Sequence, residues 1–167
     1  MNPQERGRHF EDNLHKKLLQ AHYCKIMREA DIKRYFGKSI SGIDHIIYNE
    51  SDYLICIQDK WQSSTISISE FNHFSKCVEE ISKHQEILNN KQLKILAIYA
   101  SNQSLSANSL EQFNKENERY KNKMSRIKYY TCNDKDESII LHKLENFLHT
   151  KKIFMYDYNG DCIMRSL

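Results

Sequence analysis

Three positions in the 167-residue chain carry side chains whose types and spacing suit chemistry on a phosphate: Asp44, Gln58 and Lys60. An aspartate oxygen, a glutamine carbonyl oxygen and the backbone carbonyl of Asp59 form a set of hard oxygen donors suited to Mg2+ or Mn2+, with water completing an octahedron. A lysine beside such an ion faces a metal-bound water whose pKa the ion lowers, while the ion offsets charge on a phosphate oxygen. These are the requirements of phosphodiester hydrolysis. Taken singly, each residue has an ordinary explanation: Asp44 caps a turn and Lys60 snorkels from a strand end. Their joint placement at one sheet edge is what singles them out.

That placement depends on a hairpin. Gly42 to Tyr48 reads as a strand, Asn49-Glu50-Ser51-Asp52 as a turn, and Tyr53 to Trp61 as a second strand. Side chains alternate along a strand, so Leu54, Cys56, Gln58 and Lys60 share one face, while Tyr53, Ile55, Ile57, Asp59 and Trp61 share the other. Both faces start apolar, which predicts a central strand that brings Gln58 and Lys60 to the rim of the core opposite Asp44. An ammonium there calls for a nearby carboxylate.

Phe10, Leu14, Leu18 and Ala21 recur at helical spacing and predict a first helix over about 5–22, with Glu11 beside the buried stripe. The stretch from there to Gly37 has no clear period. Phe71, Phe74, Val78, Ile81, Gln85 and Leu88 predict one long helix begun by Ser67 or Ser69. A strand over Leu93–Ala100, a helix at about 107–123, a strand over Arg126–Cys132 and a helix at about 135–150 follow, with a short hairpin expected after Lys152. Helices alternating with strands predict an α/β protein, a mixed sheet flanked by helices on both faces. The absence of repeats or linkers predicts one domain over 1–167, its core at about 5–132 and a C-terminal helix and tail over 133–167.

Gly-Ile-Asp44, followed by an apolar strand ending Gln58-Asp59-Lys60 and preceded by a helix bearing Glu11, resembles the PD-(D/E)XK nuclease superfamily. The Gln-x-Lys form is similar to the branch that includes Mrr-like restriction endonucleases and archaeal Holliday-junction resolvases. The resemblance implies a restriction-endonuclease-like fold, with Asp44 and Gln58 as metal ligands, Lys60 assisting the attacking water and Glu11 supporting the metal through water. The implied activity is a Mg2+- or Mn2+-dependent endodeoxyribonuclease of restriction, repair or junction-resolving type, working on DNA as a homodimer. Two departures stand out: Ile43 replaces the usual proline before Asp44, and Gln58 replaces an acid, removing one negative charge. A catalytically inactive nucleic-acid-binding protein of the same fold is the alternative, and an unrelated α/β interaction domain a third.

Charge distribution bears on the partner. The net charge is only +3, but segment 5–38 carries nine basic and five acidic residues, and segment 113–130 six and two. Arg6, Arg8, Lys16, Lys17 and Lys38 are candidate phosphate contacts, with Gln62, in phase with Lys60, as a candidate substrate contact. The run from Lys115 to Lys128 is either a second DNA contact or a solvated face. His9 and His45 read as surface histidines, and Trp61 as core packing. His73, Cys77 and His84 lack the second paired set that a zinc site requires. No apolar run approaches the ~20 residues needed to cross a bilayer. Five cysteines without CxxC spacing predict reduced thiols and an intracellular protein, cytoplasmic or, in a eukaryotic or viral setting, at a nuclear or viral replication site.

Overall fold

A computed structural model describes residues 1–19, 25–49 and 52–150. The first helix, α1 (Pro3–Leu18), starts two residues earlier than the apolar stripe suggests. The Asn2 side chain accepts the Glu5 N–H at 2.8 Å while Glu5 accepts the Asn2 N–H at 2.9 Å, and Pro3 fills the first helical position. This reciprocal cap satisfies donors that a helix start otherwise leaves bare.

The aperiodic stretch that follows holds a three-residue strand β1 (Lys25–Met27) and an eight-residue helix α2 (Glu29–Phe36), which Gly37 ends in the left-handed conformation at φ 76°. Neither is long enough to display a period. The expected hairpin forms from β2 (His45–Asn49) and β3 (Tyr53–Lys60), with Trp61 just beyond the strand. The long helix expected from Ser67 divides into α3 (Ile68–Ser82) and α4 (Gln85–Asn89). His84 is extended at ψ 137°, and the buried phase jumps from Ile81 to Ile87, leaving Leu88 exposed. Then come β4 (Lys94–Ser101), α5 (Ala107–Lys121), β5 (Ile127–Asn133) and α6 (Glu137–Thr150). The hairpin expected after Lys152 lies outside the described residues.

The five strands form one mixed sheet in the order β1-β2-β3-β4-β5, antiparallel across β1, β2 and β3 and parallel across β3, β4 and β5. The central strand is β3, as its two apolar faces require. On one face, Phe10, Leu14 and Leu18 of α1 with Ile140, Leu144 and Leu148 of α6 pack on Ile47, Ile55, Ile57 and Ile98. On the other, Phe71, Phe74, Val78 and Ile81 of α3 with Ile32 and Phe36 of α2 pack on Leu54, Cys56, Ala97 and Tyr129. The protein is thus an α/β fold whose mixed sheet is flanked by helices. Cys56, Cys77 and Cys132 are buried free thiols, and no described helix is long and apolar enough to cross a membrane.

Candidate metal centre at the end of the central strand

Asp59 is the penultimate residue of β3 and continues the Ile55–Ile57 face that α1 covers. Asp44 stands just before β2, with its N–H on the Ile57 carbonyl at 2.9 Å and its Oδ2 accepting the Asp59 N–H at 2.9 Å. Glu11 follows the core residue Phe10 on α1. Each of these three carboxylates offers one oxygen, and the three oxygens lie within 4.8 Å of one another.

Three acids so placed are short of positive charge. Burial, and then the neighbouring Asp59, push the Asp44 carboxyl up to about 8. Burial, and then Glu11, do the same to Asp59. The pair therefore holds protons near neutrality that ordinary aspartates have lost. Arg28 supplies part of the missing charge, donating to Glu11 Oε1 at 2.8 Å and to Asp12 Oδ1 at 2.9 Å. That bond to Glu11 is the main reason the guanidinium holds its proton still more firmly.

His45, expected at the surface, is fully buried. It lies opposite Ile57 in the hairpin and hydrogen-bonds through Nε2 to Asp59 Oδ2. Its Nδ1 is buried without a partner, so a second ring proton would have no acceptor. Burial lowers its pKa to about 4, and the neutral ring donates from Nε2 to Asp59 once that carboxyl is ionised. The His15 ring stacks on it, with centroids 5.9 Å apart. In metal sites, such donors to a ligand fix its orientation and tune its basicity.

The oxygen set expected from the sequence is rearranged. Gln58 and Lys60 follow Leu54 and Cys56 on the face that α3 covers, away from Glu11. The Gln58 Nε2 donates to the Asp59 carbonyl at 3.4 Å, the oxygen expected to face a metal, while Gln58 Oε1 is buried with no partner. The Asp59 side chain, rather than its carbonyl or the Gln58 amide, joins Asp44 and Glu11. Lys60 is exposed at the strand end and forms no ion pair among the described residues, yet it is close enough to lower the pKa of Asp59. Three carboxylates suit a hard divalent cation, and the proton-holding pair marks a site short of positive charge, whereas the orphaned Gln58 oxygen lies on the other face. Alternation already placed Asp59 with Ile57; that α1 covers this face was not visible.

The basic residues divide. Arg6 pairs with Glu137 at 3.2 Å and lies 3.6 Å above the Trp61 ring, which itself packs on Phe10. Lys17 pairs with Glu145 at 2.6 Å, and Lys38 lies 3.7 Å from Glu80. Arg8 and Lys16 are exposed on α1 with no ion pair among the described residues. Gln62 is not a free contact: its Nε2 donates to the Ser64 carbonyl at 2.9 Å and the Thr65 carbonyl at 3.2 Å, closing the loop beyond β3. In the second basic run, Arg126 is spent on the carbonyls of Ile87, Asn90 and Leu93, and Arg119 on Glu116. His73 bonds Ser41 Oγ, and the only metal-type cluster among the described residues is Glu11, Asp44 and Asp59.

No family model matches the chain, and neither a curated protein nor a solved structure matches it.

Proposed function

We propose that the chain is a metal-dependent endodeoxyribonuclease that hydrolyses DNA phosphodiester bonds with Mg2+ or Mn2+. The observation that carries this reading is the convergence of Glu11, Asp44 and Asp59 at the end of β3, within 4.8 Å of one another, with Lys60 next along the strand and close enough to act on Asp59. When bound, a divalent ion lowers the pKa of a water and offsets charge on a phosphate oxygen. The protein's own groups do the rest. Asp44, Asp59 and Glu11 hold the ion, and the His45 Nε2–H keeps the Asp59 carboxylate turned toward it. Lys60 positions the attacking water or stabilises the charge that develops on the phosphate. Arg8 and Lys16 reach backbone phosphates, which gives salt-dependent binding with little base preference. The resemblance to PD-(D/E)XK enzymes adds a homodimer that cuts two strands, and the cysteine usage an intracellular setting.

One observation favours the second reading, a non-catalytic nucleic-acid-binding protein. Arg28 already occupies Glu11, and the motif acid is a glutamine turned to the other face. Cleavage of labelled duplex, single-stranded, flap and four-way-junction DNA with Mg2+, Mn2+ or EDTA separates the two. Metal-dependent cutting that Asp44→Asn and Lys60→Ala abolish is the expected result. Binding without cutting in any metal overturns the nuclease in favour of the binding protein, and neither binding nor cutting overturns both.

A further inference from the structure

At the same end of the sheet as the carboxylates, but on the opposite face, the one that α3 and α5 cover, lies a cavity of about 180 Å3 that the hydrolytic chemistry does not use. It is lined by Tyr99, Leu105, Phe113, Gln103, Thr131 and Asn133, with Leu110 also contributing. Its place follows from register: Gln58 of β3 lies beside Tyr99 of β4, and Tyr99 beside Thr131 of β5. The cavity thus opens where the parallel strands end. Asp44 and Asp59 are near enough to Tyr99 to help hold its phenol protonated, after burial and Glu70.

We propose that this cavity receives a single unstacked nucleobase of the DNA substrate, so that the substrate class is DNA with an unpaired base next to the scissile phosphate. The inference rests on the nuclease reading. The volume is below the roughly 300–1,000 Å3 that holds a drug-sized ligand, and suits one planar ring system. Phe113 and Tyr99 supply aromatic surface, and stacking on such surface tolerates any base. The Tyr99 and Thr131 hydroxyls and the Asn133 side-chain amide have no partner among the described residues, and Gln103 uses only its Nε2, on the Gln62 carbonyl at 3.1 Å. A base edge asks for this mix of free donors and acceptors, and an enzyme that takes up an unpaired base is spared the cost of unstacking a paired one.

The test compares a fully paired 20-mer duplex with the same duplex carrying one bulged 2-aminopurine, with affinities measured in EDTA and cleavage measured in parallel in Mg2+. The bulged duplex should bind about tenfold more tightly, with 2-aminopurine emission quenched further on binding, as stacking on an aromatic ring would produce. Phe113→Ala should remove that preference while leaving paired-duplex affinity unchanged. Because Phe113 also packs on Phe71, Asn133→Ala, whose side chain has no partner, is the second variant, and it should bring the ratio toward one. Equal affinity for the two duplexes, or a preference that both variants retain, overturns the base pocket; if the paired duplex is still cut, the nuclease reading stands. A preference without cleavage keeps the pocket and overturns the nuclease. Failure to bind either duplex overturns both.

Discussion

A shift of one residue separates the two ways of building this site. With Gln58 as ligand, the metal faces α3; with Asp59, it faces α1, where Glu11 and Asp44 also lie. Asp59→Asn should therefore lower metal-dependent cleavage by at least ~100-fold, the scale of losing a preorganised charged group, while Gln58→Ala retains most of it. Initial rates of cleavage in Mn2+ give the comparison, and the reverse order would place the ion on the other face. His45 acts through Asp59. Its removal in His45→Ala should weaken Mn2+ binding by about 10–100-fold in calorimetry, with partial recovery in His45→Gln, whose amide can also donate. The types of these residues and the pairing of Asp44 with the end of the second strand were legible in the sequence. That His45 is buried was not, because a single histidine in an apolar strand looks the same whether or not a helix carrying Glu11 lies over it.

At the scale of elements, long periodic segments were readable and short ones were not. The strands β3 and β4 and the helices α1, α3 and α6 repeat their apolar positions often enough to declare themselves, whereas β1 spans three residues and α2 eight, and their stability comes from tertiary packing. The break between α3 and α4 hides behind Gln85 and Leu88, which keep helical spacing although only Ile87 is buried. The turn into β2 depends on a close approach: a Cβ on Gly42 would lie 2.8 Å from Cys77 Sγ and 3.1 Å from His73 Cδ2. Gly42→Ala should therefore lower stability by about 1–3 kcal/mol, as overpacking does. A smaller side chain at Cys77 removes the nearest atom, so Gly42→Ala should cost less in a Cys77→Ala background than in the wild type. Urea unfolding of the four proteins in this cycle measures the difference, and additive losses would show that α3 is not what confines Gly42.

Over the whole molecule, the buried acids tie stability to pH and to metal in opposite senses. Asp44 and Asp59 are pushed up to about 8 in the folded chain from an ordinary 3.8, so the fold binds more protons than the unfolded chain between those values. Their contribution is complete at low pH and is lost as pH rises toward 8. His45 works the other way: lowered to about 4 from 6.5, it adds stability as pH rises from 4 to 6.5 and is constant above that. Between pH 6.5 and 8 the carboxylates therefore act without that offset, and the metal-free protein should lose about 3 kcal/mol, at up to about 1.4 kcal/mol per pH unit for each of the two protons. In a protein of this size that is about 6–12 °C in Tm. A divalent cation binds the ionised carboxylates, so its stabilisation must grow over the same interval as the protons leave. Melting curves at pH 6.5 and 8, with EDTA or 5–10 mM Mn2+, should show the Tm falling with pH in EDTA and the Mn2+ increment rising with pH. Asp44→Asn should flatten both trends, because it removes one of the two acids and relieves the other. A metal-free Tm that rises from pH 6.5 to 8, or a Mn2+ increment indifferent to Asp44→Asn, would mean that these carboxylates hold neither the protons nor the ion assigned to them.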